Sequence, residues 1–403
     1  MTLEFEKLTS QLDAMARTAA SRQGDRQSFV DDLLAVMARY ADDWRAIDQA
    51  LLLAEEKADP KHYRAARPLR QQNPLNVGID PPPVPPQATL IATDGSQIMP
   101  DRHAPYLYYV LNVGGCIYFY GSGRTPIQFT HPELHYPQSD AQEADFLQSS
   151  SKVSIERDKR EITILANTAW DYRHEEAPVL AMLDQRLLYW PIGDSQAAPN
   201  EDVQTWLRGM LKAKDSGAWL AGYIDRPMTG YVVTLLLALS GLDDLNFNWS
   251  DLGKRGVTGG LADAAVYGRL LRPGQRSPVF VNISPPNEQF ARFDPGLEVC
   301  FFYLNPGNSG RRIARVDIPR WVAEDETAVN QLHALIMDQC RLLGGYPYII
   351  TRADEMAVIQ YADRESLETM IDNYMQRYGI YRSLTAKLQT KGLSRSTRRR
   401  YGQ

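Results

Sequence analysis

The sequence predicts an α/β protein: a mixed sheet flanked by helices, preceded by a helical arm. Three observations predict it. Residues 1–58 carry apolar side chains at helical spacing. After the run Pro81-Pro-Pro-Val-Pro-Pro86, two unbroken apolar segments appear, Leu90-Ile-Ala92 and Pro178-Val-Leu-Ala-Met-Leu183. Each leads into an acid, and each reads as a strand covered on both faces. Between them lies a stretch of helical period, so strand, helix and strand follow in the order of a crossover unit.

Composition sets the outer limits. A chain of 403 residues with 44% hydrophobic and 23% charged content suits an ordinary globular protein with one large core or a core plus a module. No apolar run approaches the roughly 20 residues of a membrane span, and Met1-Thr-Leu-Glu-Phe-Glu-Lys7 lacks the basic-then-apolar pattern of a signal peptide. Cys116, Cys300 and Cys340 are odd in number and far apart, which argues against a disulfide framework or a zinc cluster and points to a reducing cytoplasm. With a net charge of -5, any nucleic-acid contact depends on local basic surface, for which Arg311, Arg312, Arg315 and the tail Lys391–Arg400 are candidates. A solvated face is the plain alternative for the tail.

Taken in order, the arm reads as two helices, about 4–22 and 27–57, broken at Gln23-Gly24-Asp25, with Phe29, Leu33, Leu34, Met37, Tyr40 and Trp44 on one stripe. It would form a hairpin, mediate dimerisation or simply pack. Asn73–Pro86 is a linker by composition. Residues 1–86 are therefore arm and linker, 87–380 the core with an insertion at about 246–276, and 381–403 a basic tail. The core opens with the strand ending at Asp94. Tyr106–Val113 and Cys116–Tyr120 follow, joined by a hairpin at Gly114-Gly115, giving three strands in meander. Gly121–Tyr136 is loop or edge strand. A helix begins near Gln142 or Ser151 and ends at Tyr172, and Pro178–Leu183 is the next strand. Further helices are expected at 206–214, 229–239, 327–343, 353–360 and 364–378, and strands at 219–224, 297–304 and 313–318, with a loop at Gly307–Gly310.

Candidate chemistry lies where the apolar runs stop. An Asp at the end of a buried strand is costly without a cation or donors to meet it; the ordinary alternative is an Asp-Gly turn in which Asp94 only caps the chain. If the two apolar strands are parallel, Asp94 and Asp184 share the carboxyl edge, where ligands of open α/β sheets bind. On a helical wheel Glu161 shares a face with Ile164, Leu165 and Thr168, with Arg157 one turn back. It would reach toward that edge, or else form an Arg157–Glu161 surface pair. Clustered carboxylates repel, and a divalent cation relieves them. Oxygen donors without His or Cys suit Mg²⁺ or Mn²⁺. A three-strand meander, a helix and a parallel strand with such a cluster is a ribonuclease H-like layout, suited to two-ion hydrolysis of a phosphodiester.

Those residues resemble the NurA nuclease family, whose members work with the hexameric HerA ATPase in DNA end processing. The resemblance spans most of 88–362. It rests on Thr93-Asp-Gly-Ser96, on Arg157 and Glu161, and on Leu183-Asp184. It continues through Cys300-Phe-Phe-Tyr-Leu304, Ile313-Ala-Arg-Val-Asp-Ile-Pro-Arg-Trp-Val322, and Gly345-Tyr-Pro347 followed by Ala353-Asp-Glu355. It implies Asp94, Glu161 and Asp184 as metal ligands, Tyr346 as an active-site residue, and Asp354 at a position where the family usually carries His. An Asp there would bind metal as a fourth carboxylate but would not donate a proton as imidazolium does. Asp184 is followed by Gln185-Arg186 where Gly-Ser is more usual, and Arg186, like Arg157 and Arg315, becomes a candidate phosphate contact.

The expectation is thus a Mn²⁺- or Mg²⁺-dependent DNA nuclease, cutting single strands and ends 5′ to 3′, homodimeric and docked on a HerA-type ATPase. Two rivals stand beside it. One is a catalytically weak DNA-binding regulator of that ATPase, suggested by Asp354; the other is an enzyme acting on RNA, which would need 2′-hydroxyl contacts.

Overall fold

The computed structural model describes residues 4–102, 104–139, 146, 150–191, 199–254, 256–307 and 312–380. Arg311, the tail from residue 381, and the expected helix start at Gln142 lie outside these described residues, as does most of the loop at Gly307–Gly310.

The arm differs from expectation. Helix α1 (Thr9–Arg39) runs unbroken through Gln23-Gly24-Asp25. Gly24 sits on an exposed turn with nothing within 4 Å of where a Cβ would be, so it costs only the ~1 kcal/mol of a helical glycine. The break falls after Tyr40, where the Asp43 carboxylate accepts from Ala46 N at 3.1 Å and starts α2 (Trp44–Lys57). A short strand, β1 (Ala65–Pro68), follows.

Next come β2 (Ala88–Ile98), β3 (Tyr109–Tyr120) and β4 (Ile127–His135). The meander exists, but from other pieces than the sequence suggests. Gly114-Gly115 is not a turn; β3 passes straight through it, paired with β2 from Ala88↔Tyr120 to Ile98↔Val110. The glycines serve close approach instead. A Cβ on Gly114 would lie 2.2 Å from Ala357 N, and one on Gly115 2.2 Å from the Phe129 ring. β4, from the segment left open as loop or edge, supplies the third strand. Strand β2 likewise continues through Asp94-Gly95-Ser96 where a turn was one reading.

The remaining elements are α3 (Ser150–Asp171), β5 (Val179–Leu183), α4 (Glu201–Asp215), β6 (Trp219–Ile224), α5 (Tyr231–Ser240), α6 (Asp263–Leu270), β7 (Phe280–Ile283), α7 (Pro285–Phe293), β8 (Val299–Leu304), β9 (Ala314–Pro319), α8 (Arg320–Ala323), α9 (Glu326–Leu342), α10 (Tyr348–Ala357) and α11 (Tyr361–Arg377). Of these, α6, β7, α7 and α8, like β1, were not anticipated. Both strands are four residues long, too short to show a period.

The chain divides into two compact units. The first holds Met1–Pro85, Gln185–Ala198 and Ala221–Pro347. Its strands run β1-β7-β8-β9-β6 with antiparallel pairings. The carboxyl half of α1, with α2 and α5, packs there around Met37, Ile47, Leu235, Phe280, Phe301 and Tyr303. The Gly- and Asp-rich stretch at 246–276 contributes buried Leu252, Leu261, Val266 and Tyr267 to the same core.

The second unit holds Pro86–Asp184, Pro199–Leu220 and Tyr348–Gln403. Its strands run β5-β2-β3-β4, with β2 parallel to β5 and antiparallel to β3. Helix α3, the connection from β4 to β5, packs on β2, β3, β5 and α4, while α10 packs on β2 and β3. This is the ribonuclease H-like order: meander, helix, parallel strand. Among the described residues no helix is long and apolar enough to cross a membrane.

Candidate active site

The second unit gathers the acids at one end of its sheet. Parallel pairing of β2 with β5 runs from Thr89↔Val179 to Thr93↔Leu183. Asp94 and Asp184 are the next residue on each strand, so they leave the pairing at the same carboxyl edge. Asp94 is half-buried and accepts from Gly95 N at 2.8 Å. Its carboxyl is pushed up to about 6. Burial is the main cause; the Gly95 bond opposes it, and a hydrogen bond with Asp354, the Asp354 charge and the Asp184 charge add to it.

Glu161 reaches the same place from α3. It is 4% exposed, and its carboxyl lies well above the usual range because of burial and then the Asp94 charge; Arg157 opposes the shift, and Asp158 and Asp184 add to it. Two residues of β2 admit it. Thr93 Oγ1 donates to the Glu161 carbonyl at 3.2 Å, tying helix to strand. Gly95, pointing to the same face as Thr93, leaves the space that Glu161 fills: a Cβ there would sit 2.4 Å from Glu161 Oε1 and 2.7 Å from Arg157 Cγ. Gly95 is therefore a packing requirement, not a turn.

Arg157 is half-buried, with Nε 3.1 Å from Glu161 Oε1 and an Nη 2.7 Å from Asp158 Oδ1. Burial works against its charge, but Glu161, Asp158 and Asp94 more than offset that and hold its pKa above the ordinary value. The helical pair weighed against a site and the inward-facing acid are thus the same contact. Asp354 and Asp184 are both exposed.

The other candidates belong to the first unit. Tyr346 is half-buried with its ring edge-on to Tyr223 at 5.4 Å. Arg186 is exposed, and its charge acts on Asp317. Arg315 corrects the expectation of a phosphate contact. It is 4% exposed, with Nε 2.8 Å from Asp317 Oδ1, an Nη donating to Asp317 Oδ2 at 3.2 Å and another to Thr229 Oγ1 at 2.8 Å. Its guanidinium lies over Tyr231 and Phe301. A guanidinium so enclosed holds the fold and offers no surface to a strand.

The second unit's donor set fits a hard divalent ion in kind. Every candidate ligand is a carboxylate, and two of them, Asp94 and Glu161, are raised by the charge of neighbouring acids, which is the imbalance a cation corrects. The side chains are not drawn into a finished cage: among the described residues no three His, Cys, Asp or Glu groups are arranged to hold a metal. Sequence reasoning missed Ser96, Asn112 and Gly114, which meet α10 beneath Asp354. The cross-strand register that reveals them has no signature in the sequence.

The model of the NurA domain matches residues 88–359. A comparison with curated proteins finds no match. Among solved structures, the NurA nuclease from Sulfolobus solfataricus aligns at 13% identity and a TM-score of 0.43, over 88% of this chain and 97% of that one. The catalytic domain of human Endonuclease V aligns at 13% identity and a TM-score of 0.32, over 80% and 95%.

Proposed function

Because the chain belongs to the NurA family, we propose that it is a divalent-metal-dependent deoxyribonuclease, cutting single strands and trimming ends 5′ to 3′. Nuclease activity goes with the family; the metal, the DNA preference and the polarity are our reading. One observation carries it: Asp94 is raised by Asp354 and Asp184, and Glu161 by Asp94 and Asp184, so four acids of one compact unit act on one another.

In this reading Asp94, Glu161, Asp184 and Asp354 would hold Mn²⁺ or Mg²⁺, two ions by analogy with two-metal nucleases. The bound metal would supply an activated water and charge stabilisation for the leaving oxygen. The protein's own part is placement. Thr93 and Gly95 set Glu161 against β2, and Arg157 steadies the Glu161 carboxylate. Burial and the neighbouring Asp354 and Asp184 charges make the ionised form of Asp94 costly, a cost that a bound cation would relieve. Tyr346 stays in the proposed site through the family motif alone, and Arg186, where this chain departs from the family, only through its place two residues after Asp184.

Resemblance also supports a homodimer and a HerA-type hexameric ATPase as partner in DNA end processing. Near the start of α1, Phe5, Leu12 and Met15 are 70%, 53% and 64% exposed. Together with Leu8 they are spaced as a coiled-coil stripe that a second copy would cover. Light scattering on wild type and Leu12→Asp tests it; an unchanged mass removes the stripe from the reading.

The main test is cleavage of labelled single-stranded DNA with Mn²⁺ or Mg²⁺, alone and with the ATPase. Asp94→Ala and Asp184→Ala should each abolish it, and surviving activity would sink the assignment. A second reading, a catalytically weak DNA-binding regulator of the ATPase, is favoured by the open arrangement of the acids and by Arg157 already engaging Glu161. A sharp gain of cleavage in Asp354→His would support it, and full wild-type activity would remove it.

A further inference from the structure

We propose that Ser96, Asn112 and Gly114 are positioning residues that seat the last turn of α10 on the β2–β3 ribbon and thereby set Asp354 over Asp94. The inference rests on the nuclease reading for its consequence, but its geometry is independent of it.

The ribbon presents two consecutive pairs on one face. Asp94 is opposite Gly114 and Ser96 is opposite Asn112. Residues two apart on a strand face the same way, and paired residues share a face, so these four form one patch. Helix α10 ends on it. The last four carbonyls of a helix have no partner within the helix, and here the final two, of Met356 and Ala357, are met by the ribbon. Ser96 Oγ and Asn112 Nδ2 donate to the Ala357 carbonyl, the latter at 2.9 Å, and Asn112 Nδ2 also approaches Met356 O at 3.4 Å. Asn112 is 8% exposed, so its amide is buried on this contact and not left to water.

Gly114 sets the height of the helix. A Cβ there would lie 2.2 Å from Ala357 N and 2.4 Å from Met356 C, both backbone atoms that cannot swing aside. Any side chain at 114 would lift the end of α10 off the sheet. The Ser96–Asn112 pair fixes where along the ribbon the helix ends, and Gly114 fixes how close it lies. Asp354 is three residues before Ala357, one turn back on the same helical face. Its own carbonyl still accepts from Val358 N at 3.0 Å, so the turn is intact. With Ala357 held over Ser96 and Asn112, that turn falls over the Asp94–Gly114 pair, where Asp354 meets Asp94.

A double-mutant cycle between Asn112→Ala and Asp354→Ala, read on kcat and KM for a labelled single strand with Mn²⁺, tests this. Asn112→Ala should lower kcat about tenfold with KM within about twofold, since misplacement by about 1 Å of a reacting group carries up to a 10²-fold penalty. In the Asp354→Ala background it should cost nothing further; two losses that multiply would overturn the proposal. Gly114→Ala should repeat the pattern. Hydrogen exchange across Tyr348–Ala357 in EDTA needs neither metal nor substrate and keeps the two readings apart. Faster exchange in Asn112→Ala supports the seat even if no cleavage is ever found, and unchanged exchange overturns it even in an active nuclease.

Discussion

Two buried acidic centres, one in each unit, solve the same problem in opposite ways. In the first unit Asp317 faces Arg315 through one hydrogen bond at 3.2 Å and an ion-pair contact at 2.8 Å, and accepts from Leu187 N at 3.1 Å. Asp263 accepts from Val233 N at 2.8 Å and from the Tyr303 hydroxyl at 2.5 Å. Burial raises both acids, and every neighbour named for them pulls the other way. In the second unit burial raises Asp94 and Glu161, and acidic neighbours raise them further. Folding alone selects the first arrangement. The second is unfavourable for the fold, and ionisable groups perturbed in that way cluster at functional sites.

The contrast is broken most severely at Asp317. Asp317→Ala strips the counter-charge from a guanidinium that is 4% exposed, and removing one partner of such a pair costs about 3–5 kcal/mol. Denaturant unfolding should show that loss, while cleavage per folded molecule stays near wild type. Asp94→Asn should do the reverse. Relieving a like-charge contact should leave the unfolding midpoint unchanged or higher, and kcat should fall about 10²-fold or more, since even outer partners of metal ligands carry 10- to 100-fold effects. If both variants lost stability alike, the two centres would be the same kind of structure and the distinction would fail.

pH sharpens the comparison. Asp94 is pushed from an ordinary 3.8 to about 6. The unfolded chain therefore gives up its proton first as pH rises, and the stability this proton contributes is complete below about 3.8 and lost as pH passes 6. In EDTA, stability should fall between about pH 4 and 6.5, with about 1–2 kcal/mol from Asp94 after allowance for its partial exposure. Asp263, also raised to about 6 by burial, contributes to the same limb. Mn²⁺ separates them: added metal should remove the Asp94 part and leave the Asp263 part, whereas Asp263→Asn should do the opposite. A limb indifferent to Mn²⁺ would count against an ion at Asp94.

Much of the second unit was legible in the sequence, and particular residues show why. The two apolar runs ending in Asp94 and Asp184 are unbroken because both faces of β2 and β5 are covered, and parallel pairing then brings the acids to one edge. Glu161 could be read from the wheel because helix geometry is local. Glycine misled, at Gly24 and at Gly114-Gly115. Gly24 uses neither special backbone geometry nor space, whereas Gly114 and Gly115 use space, and only the packed structure says which. In the same way the alternation through Arg315 marks a strand but not whether a guanidinium on it meets water or Asp317.

The smallest expected effect concerns Arg157, which stands between the two kinds of centre because it gives Glu161 the only counter-charge among the causes of that acid's shift. If this pair were structural in the manner of Arg315–Asp317, Arg157→Gln would destabilise the protein equally with and without metal. If a cation shares the Glu161 carboxylate, the loss should appear in EDTA and shrink when Mn²⁺ is added. Solvent reaches this pair only through Arg157, whose side chain is 30% exposed against 5% for Glu161, so the EDTA loss should be about 1 kcal/mol, between a surface pair and a buried one. Unfolding midpoints of wild type and variant in both buffers decide it; a loss that ignores Mn²⁺ would move Glu161 out of the metal set and into the fold.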